Sequence, residues 1–334
     1  MNWVTSSRRP LRQGMSVVGF LLVSLLFGCA SGGDEPPLSV PTLVIHAPEQ
    51  PALAGETQPP TPTLAATAVS DAAPTISPPA SPTPPEPVPT PAEPRYQVAF
   101  VTVDDELNVR AGPGVENEVV GVLPPEAADV EITGEGQEVS GSTWVPISAA
   151  GVEGWVNSRF LAQTVEADTF CTEPDVLTLM GSFLTAVREE DGELLAQLVH
   201  LERGLRLHQA WWNPKVRLTH DEVSDLFNSS TRYDFGVEDG SGRPIVGTFS
   251  EVMLPLLQED LLGAAETACN EILHGPTAGI VQLPDGYQSV RYFSFFRPPA
   301  EGDSEFDWGT WVVGVELWQG QYYISYLVHY AWEI

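Results

Sequence analysis

Three cysteines, six histidines and 45 acidic side chains are the groups from which chemistry could be built in this chain. The densest cluster is Tyr233-Asp234-Phe235-Gly236-Val237-Glu238-Asp239-Gly240-Ser241-Gly242, which puts three carboxylates and three glycines in ten residues. A calcium loop of the EF-hand type needs oxygen ligands at alternate positions and Gly at the sixth. Counted from Asp234, the third position is Gly236 and the sixth is Asp239, so the pattern fails. Asp234 and Asp239 stand as the pair on which a general acid–base enzyme would rest, against the plainer reading of a long acidic turn in water. His200, His208, His220, His274 and His329 fall at no metal-ligand spacing. His200, between Val199 and Leu201, reads as a packed or capping residue. There is no Gly-x-Ser-x-Gly, no His-Glu-x-x-His and no phosphate-binding glycine loop. No catalytic residue, metal or cofactor is assigned. Trp211, Trp212 and Tyr233 are the aromatic candidates for a pocket or recognition surface in this half of the chain. Adjacent tryptophans cannot share one face of a strand.

Charge narrows the partners. With 45 acidic against 15 basic residues the net charge is −30. Nucleic acid is excluded as a partner, because binding it needs clustered cations. The basic residues Arg8, Arg9 and Arg12 sit together at the start, before the uncharged apolar run Met15–Phe27. That run is shorter than the roughly 20 residues of a membrane span and fits a signal-peptide core. It ends in Leu26-Phe27-Gly28-Cys29, which resembles the lipobox of bacterial lipoproteins, with Phe27 where a smaller residue is usual. The resemblance implies cleavage after residue 28 and acylation of Cys29, so that the partner is a lipid bilayer and the protein lies on the extracytoplasmic side. Residues 29–94 then form a linker. Of the chain's 31 prolines, 18 lie between Asp34 and Pro94, and residues 30–94 have no aromatic, Lys or Arg. Such a tract cannot bury enough apolar surface to fold and favours extended polyproline II.

From 95 to 163 the hydrophobic period is two. Val98 to Val103 opens a strand, and alternation in Leu107, Val109 and Ala111 puts those side chains on one face. Gly112-Pro113-Gly114 is a turn. Leu-Asn-Val-Arg-x-Gly-Pro-Gly at 107–114, Val-Val-Gly-x-Leu at 119–123, Trp-x-x-Ile at 144–147 and Gly-Trp-Val-x-x-x-x-Leu at 154–161 resemble a bacterial SH3-like (SH3b) domain. This implies a small barrel of five short strands and noncatalytic binding, often of cell-wall peptides. Asn108, Arg110, Trp144 and Trp155 are the residues with polar or π groups to offer a ligand. SH3b modules often accompany cysteine peptidases of the NlpC type, but Cys171 lacks the Asp before it and the pattern after it.

Residues 168–334 form the remaining domain. Val176, Leu179, Met180, Phe183, Leu184 and Val187 make a helical stripe after a start at Thr172-Glu173-Pro174-Asp175. Asp191 caps a second helix, and Thr219-x-x-Glu222 and Thr248-x-x-Glu251 are capping boxes. Pro255 kinks the last helix or shifts its start. Strands follow at Ser289–Phe296, Trp311–Leu317 and Tyr322–Trp332. In the last, Tyr322, Ile324, Tyr326, Val328, Tyr330 and Trp332 share one face by strict alternation. The expectation is an α+β domain, helices packed on a curved antiparallel sheet. Its element order resembles the cone-shaped fold of nuclear-transport-factor-2-like proteins.

The whole reads as a multidomain envelope lipoprotein: signal peptide 1–28, linker 29–94, SH3-like barrel 95–163 and α+β domain 168–334. It acts as a noncatalytic binder of peptidoglycan peptide or another envelope protein. The alternatives are an envelope-acting enzyme using the C-terminal carboxylates, and a spacer without specific ligand. In an exported chain the two remaining cysteines, Cys171 and Cys269, pair as a disulfide. Closing a loop of about a hundred residues stabilises by ~4–5 kcal/mol in the chain-entropy model. Alkylation of the purified protein should therefore add no label at these two thiols until a reductant is supplied, as read by intact mass.

Overall fold

The computed structural model describes residues 93–334. The expected signal segment, Cys29 and nearly all of the linker lie outside the described residues.

Residues 96–163 build the barrel from eight short strands: β1 (Tyr96–Val98), β2 (Leu107–Arg110), β3 (Val119–Leu123), β4 (Glu131–Ile132), β5 (Gln137–Val139), β6 (Ser142–Ala149), β7 (Val152–Asn157) and β8 (Leu161–Gln163). The main sheet runs β3-β2-β7-β6-β4, with β5 also on β6 and β1 paired to β8. Alternation on β2 buries Leu107 and Val109 and leaves Asn108 outward. Gly154 is needed where β7 crosses β2, since a Cβ there would lie 2.6 Å from the Arg110 carbonyl oxygen. The expected first strand is corrected: β1 stops at Val98, and Phe100 takes φ +61°. That turn aims the Phe100 ring out of the barrel toward the next domain, where it meets Tyr287 edge-on at 5.0 Å.

The α+β domain opens with α1 (Ala167–Thr172), α2 (Pro174–Glu189) and α3 (Gly192–Gln197). Thr172 does not cap α2. It closes α1, its hydroxyl donating to the Asp168 carbonyl at 3.2 Å, while Pro174 at the first helical position needs no cap partner and Glu173 takes the N-cap. The Asp191 carboxylate accepts from Leu194 N–H and caps α3. The hairpin β9 (Leu205–His208) and β10 (Val216–Leu218) follows, then α4 (His220–Ser224), the hairpin β11 (Tyr233–Val237) and β12 (Pro244–Gly247), and α5 (Phe249–Leu256). Both Thr–Glu capping boxes are formed, at α4 and α5. Pro255 lies in the last turn of α5, and the chain continues into a π-helical turn, Leu257–Leu261. The wider turn accommodates a residue that cannot donate to the ladder. The acidic tract 233–242 is thus half strand and half hairpin turn.

Strands β13 (Glu266–Cys269), β14 (Arg291–Arg297), β15 (Gly309–Trp318) and β16 (Gln321–Ala331) complete a six-stranded sheet in the order β10-β9-β16-β15-β14-β13. It is not wholly antiparallel: β9 and β16 are parallel neighbours. After β10 the chain crosses to the far edge and returns as a meander, so its last strand arrives beside β9 in the same direction. A second correction concerns the face of β16. A bulge shifts the register between Gly314 and Val315, opposite Ser325. One extra residue inverts alternation, so Ile324 and Leu327 pack under the helices with Phe183, Phe249, Met253 and Trp311. Tyr326, Val328 and Tyr330 face the other way. Cys171 and Cys269 are bridged, tying α1 to the edge strand β13.

The face of the sheet carrying Tyr326 and Val328 is covered by the loop through Tyr287 and by Ala99, Phe100 and Ala162 of the barrel. Trp318 and Tyr323 of the β15–β16 hairpin reach in turn into the barrel core. Between these seams Arg203 donates to the Leu161 and Ser158 carbonyls at 2.8 and 2.7 Å and to Glu316 at 2.7 Å. Its guanidinium lies 4.0 Å from the Trp318 ring centroid. Arg206 sits 3.6 Å over the Phe100 ring and 3.8 Å from the other Glu316 oxygen. Burial would raise the Glu316 pKa, but the two arginines and the Ser325 hydroxyl outweigh it and hold it below the usual carboxylate range. Glu316→Ala would leave two buried guanidiniums without a counter-charge. We expect a loss of about 3–5 kcal/mol in urea unfolding, with barrel and α+β probes no longer unfolding together.

Candidate functional site

Two concavities collect the candidate residues. The first is a groove of about 230 Å³ on the barrel, lined by Asn108, Arg110 and Trp144 together with Asp105, Glu106 and Phe160. β2 positions the first two: its inward residues are core, so Asn108 and Arg110 must project outward. One Arg110 nitrogen donates to the Asn117 carbonyl at 2.7 Å, and Asn117 Nδ2 donates to Pro113 O at 2.7 Å. The turn expected at 112–114 is thereby fixed against the groove wall, and Arg110 keeps its remaining donors. Trp144 is almost wholly buried and offers the groove only part of its ring. Trp155 pairs with Arg110 in register but does not line the groove. The sequence reading missed Phe160 and the contribution of Asp105 and Glu106 to the wall.

The second concavity, about 180 Å³, lies in the α+β domain between the β9–β10 loop, the β11–β12 hairpin and the end of β16. It brings together Trp212 and Asp239 with Glu238, His329, Trp332 and Glu333. Trp211 and Trp212 occupy a turn, not a strand, so both indole N–H groups can donate to Glu333, at 3.3 and 2.8 Å. Tyr233 and Asp234 do not line this pocket. Tyr233 packs against the core, and the Asp234 carboxylate accepts from Gly236 N–H at 2.9 Å. Asp239 accepts from Gly240 and Ile334 N–H, at 2.9 and 2.8 Å. Asp234 therefore does not share the pocket that Asp239 lines. No group of three or more potential metal ligands occurs among the described residues.

His329 is a functional candidate that sequence reasoning passed over. Its Nε2 lies 2.6 Å from Asp260 Oδ2, and Arg297 Nε donates to Asp260 Oδ1 at 2.6 Å. Burial alone would raise the Asp260 pKa, but His329 and Arg297 hold it below its ordinary value. Gly309 makes the cluster possible, since a Cβ there would sit 2.1 Å from the Asp260 carboxyl carbon. The sequence offered His329 only as one of five histidines at no metal-ligand spacing. Nothing local marked Asp260 as its partner.

The loop bearing Trp212 is set by His208. Its Nδ1 donates to the Asn213 carbonyl and its Nε2 accepts from Tyr287 Oη, both at 2.9 Å. Burial pushes the His208 pKa down to about 4, against a weaker upward pull from the Asn213 carbonyl.

With this geometry in view, a family model described as a bacterial SH3 domain matches residues 105–162. The match covers most of the barrel and none of the α+β domain. No curated protein and no solved structure matches the chain.

The His208 shift makes stability depend on pH. The unfolded imidazole titrates near 6.5 and the folded one near 4, so between these values the unfolded chain binds the extra proton. The contribution is intact above about pH 6.5 and is lost as pH falls toward 4, by roughly 2–3 kcal/mol. His208→Gln should flatten this part of the profile, measured as the urea midpoint of variant against parent across that window.

Proposed function

We propose that this chain is an exported lipoprotein, held at the extracytoplasmic membrane surface through acylated Cys29, that captures cell-wall peptide noncatalytically on its SH3 barrel. The observation that carries the reading is the groove on the matched module, where Asn108, Arg110 and the carboxylates of Asp105 and Glu106 border an apolar floor. Such a set suits a peptide with both amine and carboxylate groups. Two acids against one partly engaged guanidinium favour the amine-bearing portion. The Pro-rich tract between Asp34 and Pro94 would serve as a tether. At ~3.1 Å per residue in polyproline II its full extension is on the order of 190 Å, and tethering raises the effective concentration of the barrel at the wall.

The cone-like reading of the α+β domain belongs to the same proposal. It is supported by helices packed on one face of a six-stranded sheet whose first and last strands lie side by side. The noncatalytic reading is supported by the separate engagement of Asp234 and Asp239.

Two measurements test this. Cells fed an alkyne fatty acid should label the protein, and Cys29→Ser should abolish the label. The unacylated Cys29→Ser protein should co-sediment with purified sacculi. Asp105→Asn with Glu106→Gln should lower the bound fraction about tenfold, the scale of losing a charged hydrogen bond, at unchanged melting temperature. Unlabelled protein, or sacculus binding indifferent to the double change, would refute the respective half.

A further inference from the structure

The sheet edge beside the barrel gathers cations in an otherwise acidic chain. We propose that Arg159, Lys215 and Arg217 form a site for a phosphate-type oxyanion at the seam of the two folded parts. The site does not depend on what the barrel groove binds.

Register sets the cluster up. β10 is the outer strand of the six-stranded sheet. Its alternation buries Val216 and Leu218 and leaves Lys215 and Arg217 in solvent. Arg217 stands directly opposite Arg206 of β9 in the ladder. Like charges so placed on neighbouring strands are destabilising. Arg159 comes from the barrel, in the 3₁₀ turn Ser158–Phe160 that follows β7. It lies in the fields of Arg203 and Arg206, and Arg217 lies in the field of Arg159. Five cations, the chain's only lysine among them, thus share one corner.

Too few carboxylates answer them. Glu316 is already divided between Arg203 and Arg206. Glu202 offsets part of the field at Arg159 and accepts from the Thr143 hydroxyl. Among the described residues, Arg159, Lys215 and Arg217 form no ion pair with any carboxylate. Their donors are underused as well. One terminal nitrogen of Arg159 donates to Ser142 Oγ at 2.9 Å, while its Nε is buried with no partner. One terminal nitrogen of Arg217 donates to the Glu202 and Arg203 carbonyls at 3.4 and 3.3 Å, long for such bonds. The Lys215 ammonium makes no hydrogen bond among the described residues. An unpaired buried donor costs free energy until an acceptor reaches it. Burial, reinforced by Arg206 and Arg217, lowers the Lys215 pKa. Burial, reinforced by Arg159, lowers that of Arg217. These side chains reach solvent out of a crowded, cation-rich surround.

The set calls for an acceptor with several oxygens and more than one negative charge. A carboxylate offers two oxygens in one plane, which a single guanidinium fork satisfies. A phosphate spreads its oxygens in three dimensions and can take donors from two arginines and a lysine together. Its carrier must be small or otherwise uncharged, because a net charge of −30 repels extended polyanions. At about 0.15 M salt the screening length is about 8 Å, so one bound phosphate feels the local cations more than distant acids.

The single lysine makes the site its own reporter. The full-length Cys29→Ser protein is treated with an amine-acetylating ester at fixed pH, with free Nα-acetyl-lysine as internal standard. Acetylation of Lys215 is read by peptide mass mapping. In about 20 mM phosphate, against sodium chloride of equal ionic strength, it should be about fivefold slower, as for a dissociation constant of about 5 mM. Arg217→Gln, at an exposed position, should cut this protection to less than about twofold, the scale of losing a charged hydrogen bond. Arg159→Gln should do the same from the barrel side and keeps the test alive if the first variant misfolds. Stronger protection by glycerophosphoglycerol would place the phosphate in an ester such as a lipid headgroup, and stronger protection by inorganic phosphate on a free ion; either supports the site. Equal rates in phosphate and chloride, equal protection by acetate, or protection unchanged in both variants at the parental melting temperature would overturn it.

Discussion

The described structure depends on Glu316 sharing its carboxylate between two arginines in a place almost without water. The Glu316 and Arg203 side chains are each 2% exposed and that of Arg206 is 5% exposed. Taking three charges out of water is costly, and apolar replacements of similar volume often do no worse. What such a network supplies is geometry. The terminal nitrogens of Arg203 find their partners only when the Leu161 and Ser158 carbonyls arrive from the barrel and Glu316 from the sheet, while its Nε is buried without one. Arg206 stacks on Phe100 only when the backbone at that residue has turned outward. Sliding the barrel over the sheet would strand one cation or the other. The two folded parts are consequently a fixed pair, and the barrel groove has one orientation with respect to the α+β domain.

That constraint also explains an otherwise hazardous surface. Tyr326, Val328 and Tyr330 would form an apolar strip on the far side of the sheet. Strips of this kind are covered in stable proteins. The barrel and the loop through Tyr287 cover this one, with Phe100, Tyr287 and Tyr326 meeting edge to face. Gly286, at φ +81°, lets that loop touch the barrel backbone: a Cβ there would lie 2.5 Å from the Val101 carbonyl oxygen.

Features governed by neighbours in the chain were legible before any coordinates. The capping boxes at Thr219 and Thr248, the Asp191 cap, and the outward Asn108 and Arg110 all follow from a few adjacent residues. Features set by distant partners were not. Strict alternation put Ile324 and Tyr326 on one face, and only the bulge against β15 separates them. The parallel pairing of β9 with β16 joins segments more than a hundred positions apart. Nothing near Arg203 announces Glu316, and nothing near His329 announces Asp260. The barrel was recognisable because its turns and alternation are local and recur as a set. The second pocket was legible only through Trp212 and Asp239, because the rest of its wall is brought from the distant end of β16.

Strand β9 connects these observations. It is only four residues long and wholly buried. Arg203 stands just before it, Arg206 lies within it and His208 ends it. One end therefore carries the charges that seat the barrel, and the other carries the imidazole that shapes the loop bearing Trp212. Gly204, at φ +64°, lets Arg203 turn toward the barrel while the chain enters the sheet, since a Cβ there would fall 2.0 Å from the Leu218 carbonyl oxygen. Because β9 is hydrogen-bonded on both sides, to β10 and to β16, it has no freedom to relax one end without disturbing the other. The seating of the barrel and the shape of the second pocket are thus two consequences of a single short strand, not independent properties of two modules.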